Sequence, residues 1–179
     1  MEHIEELKKE FREIPITENG GVVALCLVDF ADFKWLCKYK WNVARNTVGT
    51  IYARGYYKGS SKRMHRVITN APKNLLVDHI NGNTLDNRRN NLRLVTSTQN
   101  AMNRKPNGKI KYKGVSYNGG KTHTNKPYSV SFTKDSIKTH IGHYTTQEEA
   151  ARAYDEQALK HFKEFAYLNF PLSAKSPKI

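Results

Sequence analysis

Between Leu76 and Asn103 the chain reads LVDHINGNTLDNRRNNLRLVTSTQNAMN, and this stretch restricts the fold more than any other. The apolar run Leu75-Leu76-Val77 ends on Asp78-His79, as a short strand does when it delivers polar groups at its tip. Asn81-Gly82-Asn83 follows, and Gly and Asn accept positive φ at little cost, so a turn is expected there. Asp86 to Asn91 is wholly polar and is excluded from any core. Leu92-Arg93-Leu94-Val95 alternates and ends in a β-branched residue, the pattern of a second strand. Thr96 with Gln99 three residues on is a capping box. It opens a helix that carries Gln99, Asn100, Ala101, Met102 and Asn103. The order is strand, long loop, strand, helix.

Hydrolysis of a phosphodiester needs a base for water and positive charge for the phosphate. Asp78 is a hard oxygen ligand suited to Mg²⁺ or Mn²⁺. His79 titrates near neutrality, so its neutral form can take a proton from water. Asn100, on the helix, offers a second oxygen to the cation. Asn91, just before the second strand, is placed to hydrogen-bond His79 and fix its tautomer. One divalent ion and one histidine suffice for metal-assisted hydrolysis.

MHRVI (64–68), VDHINGN (77–83), LDNRRNNLRLVT (85–96) and QNAMN (99–103) together closely resemble the HNH (ββα-metal) nucleases, in the subgroup found in homing endonucleases. The resemblance implies metal binding by Asp78 and Asn100, His79 as general base and Asn91 as the residue that orients it. The third motif position is Asn100 rather than histidine, which fits this subgroup and leaves a weaker amide ligand. The family usually carries a His-Arg pair where His65-Arg66 stands. His65 is read here as supporting or structural and is not counted as catalytic.

Thirty Lys and Arg against 16 Asp and Glu give a formal charge of +14 over 179 residues. A field of that sign favours polyanions. No apolar run is long enough to span a bilayer, and the basic residues do not gather on one amphipathic helix. The opening MEHIEELKKEF has no apolar signal core, so a cytoplasmic protein, working with its DNA and without a membrane, is expected. Cys26 and Cys37 lie in separate apolar runs without a CxxC partner and read as reduced, buried thiols.

In chain order, residues 1–61 form an N-terminal α+β segment. Ile4, Leu7 and Phe11 give helical spacing over Met1–Arg12, stopped by Pro15. Val22–Val28 reads as a buried strand, and Asp29 as the cap of a helix over Phe30–Tyr39, with Asp32 in its first turn and Phe33, Leu36 and Cys37 facing inward. Trp41–Val43 and Ile51–Arg54 read as extended, with Trp35, Trp41, Tyr52 and Tyr56 as packing residues. Residues 62–104 are the nuclease core. Twelve basic residues lie between Lys62 and Lys113 against Asp78 and Asp86 alone. Of these, Arg88, Arg89 and Arg93 stand nearest the site, and guanidinium forks suit phosphate.

A basic linker, 105–111, follows Arg104. It contains Lys105, Pro106, Asn107 and Gly108, and it is read as tracking a DNA backbone. Residues 112–171 then change character, and 172–179 are a tail. Tyr112–Tyr117, Tyr128–Thr133 and Thr139–Tyr144 are strand-like, with turns at Gly119-Gly120 and Lys134-Asp135-Ser136. Thr146 and Glu149 form a second capping box, opening a helix to about His161 with Ala150, Ala153, Tyr154 and Ala158 at helical spacing. YKGV (112–115), HIGHY (140–144), TTQEEAARAYDEQALKHF (145–162) and LNFP (168–171) resemble the plant ethylene-response-factor (Apetala-type) DNA-binding domain. That family lays its sheet in the major groove. Its reading arginines are replaced here by Ser116 and Thr133, and its tryptophans by Tyr128 and His140, so the plant recognition sequence does not carry over. Lys113, Tyr117, Tyr128, Lys138 and His140 are read as outward strand residues contacting DNA.

The expected fold is α+β: a small N-terminal α/β segment, a ββα-metal core, then a three-stranded antiparallel sheet on one helix. The expected function is site-selective endonuclease action on double-stranded DNA with one divalent ion. The alternative is a non-enzymatic regulator resting on the C-terminal unit alone, which would have no use for Asp78, His79, Asn91 and Asn100. A monomer with one site would nick, and a homodimer would cut both strands. Both fit the chain.

Overall fold

The structure is a computed structural model and describes residues 10–106, 109–119 and 125–171. The architecture is α+β, and the chain divides into two compact units, Met1–Thr96 and Ser97–Ile179.

The first unit is built on a five-stranded sheet. Strands β1 (Phe11–Glu18) and β2 (Gly21–Asp29) form an antiparallel hairpin. It turns on Asn19 and Gly20, both at positive φ as a tight hairpin turn requires. Helix α1 (Phe30–Leu36) leads to β3 (Trp41–Arg45), which lies parallel to β1. Strands β4 (Ile51–Tyr57) and β5 (Ser60–Arg63) complete the order β2-β1-β3-β4-β5. Helix α2 (Met64–Thr69) ends on Asn70 in the left-handed conformation. Strand β6 (Leu76–His79) then pairs antiparallel with β7 (Leu92–Val95).

One core serves all of this. Ile14, Ile16, Cys26, Val28, Leu36 and Trp41 are buried together with Met64, Ile68 and Leu92, and Val77 and Leu85 pack against them. The strand pair of the Asp-His motif therefore shares its apolar interior with the N-terminal sheet. Gly55 sits opposite Trp41 in the β3–β4 register, and a Cβ there would meet Lys40 O at 2.7 Å and the indole at 2.9 Å. Trp41 Nε1 in turn donates to Leu36 O at 2.9 Å, satisfying the end of α1.

Several expectations change. Residues 1–9 of the expected opening helix lie outside the described residues, and Phe11 and Arg12 begin a strand instead. Pro15 stands inside β1. It pairs with Leu25 of the edge strand β2. Strand β2 is not buried throughout, because it is an edge strand: Val22, Val23 and Leu25 are exposed, and Cys26 and Val28 alone are buried. Helix α1 ends at Leu36, which leaves Cys37 past its end and exposed, not on an inner face. Asp29 occupies the N-cap position but makes no side-chain cap bond. Tyr56 is exposed rather than packed.

The second unit begins with α3 (Ser97–Met102). Strands β8 (Val115–Tyr117), β9 (Tyr128–Lys134) and β10 (Ile137–Tyr144) form an antiparallel sheet in the order β10-β9-β8. Helix α4 (Gln147–Phe162) covers one face, burying Ala150, Ala151, Tyr154, Ala158 and Phe162 against Val115, Val130 and Phe132. Its capping box is formed: Glu149 N–H donates to Thr146 Oγ1 at 3.1 Å, and Thr146 N–H to the Glu149 carboxylate at 3.3 Å. Gly114 has φ +77°, and a Cβ there would lie 1.9 Å from the Tyr154 ring, so only glycine lets the chain pass this close to α4. Buried Asp155 accepts from Asn169 and Phe170 backbone N–H groups at 2.9 and 2.8 Å, tying the LNFP segment to the helix. Among the described residues no helix is long and apolar enough to cross a membrane.

Candidate active site

Register sets the site. On β6 and β7, Asp78 stands opposite Arg93 and His79 opposite Leu92. Asp78 and His79 are buried, at 8% and 5% exposure. The twelve-position excursion from Ile80 to Asn91 is stiffened by its own side chains. Asn81 Oδ1 accepts from Asn83 N–H at 2.8 Å, and Asn83 Oδ1 from Leu85 N–H at 3.1 Å, two successive Asx-turns flanking Gly82 at φ +71°.

Asn91 closes this loop and does not touch the imidazole. Its Nδ2 donates to Asp86 O at 2.8 Å, and its Oδ1 accepts from Asn81 N–H at 3.0 Å. The partner of His79 is Asn87, whose Oδ1 lies 3.3 Å from His79 Nε2. Sequence position favoured Asn91 because it adjoins the strand. The loop instead folds back so that Asn87, at 1% exposure, reaches the ring.

His65 also comes to the site. Its ring centroid is 5.1 Å from that of His79, edge to face, and Tyr52 lies 5.6 Å from His65 and 6.4 Å from His79. Burial, with the neighbouring His79, Arg63 and Arg66 charges, pushes His65 down to about 3. Burial also lowers His79, opposed by the Asn87 hydrogen bond and by Asp78 and Asp86. Both rings are thus neutral at physiological pH, the form in which an imidazole accepts a proton. Burial pushes the Cys26 thiol up to about 12, with the Asn87 amide opposing, so this thiol is inert.

The three arginines nominated for phosphate all hold carboxylates within the unit. Arg93 places Nε and Nη2 at 2.9 and 2.7 Å from Asp78 Oδ2. Arg88 grips Asp86 bidentately at 2.9 and 2.8 Å and holds that carboxyl below the usual range. Arg89 grips buried Asp32 of α1 at 2.7 and 2.8 Å, and its backbone N–H donates to Asp29 Oδ2 at 2.8 Å. Asp29 therefore receives the Ile80–Asn91 loop instead of capping its own helix.

Asn100 is half-buried on α3, in the second unit. In that unit Lys113 is not a strand residue. Its Nζ donates to Ala101 O at 3.1 Å, to Met102 O and to Arg104 O at 2.9 Å, closing the C-terminal end of α3. Burial, with Arg104 nearby, pushes it down to about 8. Strand alternation corrects one further assignment: Tyr128 shares the side of Val130, packs against the core under α4, and its Oη accepts from Gln147 Nε2 at 3.4 Å, whereas Tyr117 is exposed. Lys138 and His140 pair with Thr133 and Ser131 on the opposite, open face. A cavity of about 930 Å³ is lined by Arg104, Lys105, Lys109, Tyr112, Tyr117 and Tyr128, among others. Among the described residues no cluster of three His, Cys, Asp or Glu side chains is placed to hold a metal ion.

A strand that presents Asp and His side by side, an antiparallel partner and a short helix next in sequence is the layout of a nuclease site. Residues 62–102 match the family model described as HNH endonuclease. The chain is also 31% identical over 144 residues to an uncharacterized HNH endonuclease of Acanthamoeba polyphaga mimivirus, covering 76% of this chain and 71% of that protein. This chain belongs to the HNH endonuclease family. No solved structure matches it.

Proposed function

We propose that the protein is a site-selective endonuclease of the homing type acting on double-stranded DNA, with His79 as general base. The observation that carries this reading is the adjacency of Asp78 and His79 at the tip of β6, with His79 buried and kept neutral. Asp78 and Asn100 would hold one divalent ion. Carboxylate and amide oxygens suit hard Mg²⁺ or Mn²⁺, and neither thiolate nor imidazole is required of them. When bound, such an ion supplies Lewis-acid stabilisation of charge on the scissile phosphate and the departing 3′ oxygen. His79 takes the proton of the attacking water, which leaves a 5′ phosphate and a 3′ hydroxyl. Arg93, already beside Asp78, adds fixed positive charge where the phosphate charge develops. Asn91 keeps the loop closed behind the base.

The second unit binds and positions the duplex as an Apetala-type domain. Support comes from its three-stranded sheet on one helix and from the open face bearing Lys138 and His140. Arg104, Lys105 and Lys109 around the neighbouring cavity hold the backbone.

The test is cleavage of supercoiled plasmid carrying candidate sites, with Mg²⁺ or Mn²⁺ against EDTA. Wild type converts plasmid to open circle, or to linear if two copies act together. His79→Ala loses at least about 100-fold in rate while retaining DNA binding. Cleavage by His79→Ala at the wild-type rate would remove His79 from the mechanism.

A further inference from the structure

The imidazole of His79 is held from behind by a residue of the loop, and that residue is itself held by a distant strand. An amide oxygen only accepts. The 3.3 Å approach of Asn87 Oδ1 to His79 Nε2 therefore puts the hydrogen on Nε2 and the lone pair on Nδ1. Asn87 is fixed through its backbone: its N–H donates to Leu27 O at 2.7 Å, and Leu27 N–H donates to Leu85 O at 2.8 Å. These two bonds form a parallel bridge between the edge strand β2 and the loop. On either side, Asp86 is gripped by Arg88 and by Asn81 Nδ2 at 2.9 Å, and Arg89 is gripped by Asp29 and Asp32. The loop segment from Leu85 to Arg89 thus behaves as an added strand on the N-terminal sheet.

Asn87 is costly to keep. Its Nδ2 is buried with no hydrogen-bond partner, and an apolar residue of similar size would remove that unsatisfied donor. The bond to His79 requires an acceptor oxygen at this position.

We propose that Asn87 is the positioning residue for His79, and that strand β2, through Leu27, fixes the base with hydrogen on Nε2 and the lone pair on Nδ1. This rests on the reading of His79 as the base. It makes the N-terminal sheet part of the catalytic apparatus.

The experiment is long-range ¹H–¹⁵N NMR on the full chain with labelled histidine, at a pH where His79 is neutral, its signals assigned by their loss in His79→Ala. Wild type shows the Nε2–H tautomer. Asn87→Leu loses that single tautomer and cleaves about a hundred-fold more slowly at unchanged DNA affinity. Asn87→Asp, which keeps an acceptor oxygen, retains the tautomer. Asn91→Ala retains it too, because Asn91 staples the loop without touching the ring. An Nδ1–H tautomer in the wild type overturns the proposal without any variant, and so does an unchanged tautomer in Asn87→Leu. The NMR readout does not depend on cleavage, so a failure of His79 as base would appear in the plasmid assay alone.

Discussion

Arginine and histidine do opposite work in the two units. In the first, Arg88, Arg89 and Arg93 are each committed to a carboxylate, and His65 and His79 are buried and neutral. In the second, Arg104, Lys105, Lys109 and Lys138 have no carboxylate partner among the described residues, and His140 is exposed on the open face. A count of basic residues treats these sets alike. The structure separates them into cations that hold a loop in place and cations that leave a field in the solvent.

Arg89 is the cation whose loss should cost the first unit most. Asp32 is 2% exposed, and removing its guanidinium leaves a buried carboxylate unpaired. Arg89→Ala is expected to lower the stability of the first unit by about 3 kcal/mol, at the lower end for such a pair because the arginine itself is partly exposed. Chemical denaturation would read this. DNA affinity measured well below the midpoint should stay within twofold. A large affinity loss with unchanged stability would move Arg89 to the outward set.

Much of this was legible beforehand, and the misses share a cause. Strands β6 and β7, the capping box at Thr146 and the three-stranded sheet follow from local alternation and local capping chemistry, which neighbouring residues decide. Asn87 meets Leu27 and Arg89 meets Asp32 across about sixty positions, the first pair through backbone bonds that carry no side-chain signature. Leu27 donates and accepts through its main chain, and any residue type would do the same. Asn91 and Asn87 are both asparagines in a polar run, and only the path of the loop brings Asn87 to the ring. Tyr128 reads as outward on its chemistry, and strand parity with Val130 turns it toward the core.

Acid titration tests the buried histidines. The unfolded chain protonates His65 near its ordinary value of 6.5, whereas the folded chain holds it down to about 3. The unfolded state therefore binds more protons below pH 6.5. The associated stability is fully present above that pH and is lost as pH falls toward 3. By pH 5 the loss from His65 is about 2 kcal/mol, since each unit is worth about 1.4. His79 shifts in the same direction and adds to it. Thermal melts at pH 7.5 and pH 5 should show a drop in wild type that His65→Phe reduces. An undiminished drop in His65→Phe would mean that burial of this ring does not set the acid response.

The smallest expected effect is on affinity, at the cations left outside. Arg104 and Lys105 line the cavity of the second unit, and neither has a carboxylate partner among the described residues. Replacing both with Gln removes two positive charges without exposing a buried carboxylate, so folding stability should change by less than about 0.5 kcal/mol. Duplex affinity should fall about tenfold at physiological salt, roughly 1.4 kcal/mol. The slope of log affinity against log salt should become shallower by about two, because two fewer counterions are released. The same measurement on Arg88→Gln should leave the slope unchanged, since that guanidinium already neutralises Asp86. If Arg88→Gln flattens the slope as much as the Arg104/Lys105 pair does, the loop arginines exchange their carboxylates for phosphate on binding. The division between inward and outward cations would then hold only for the free protein.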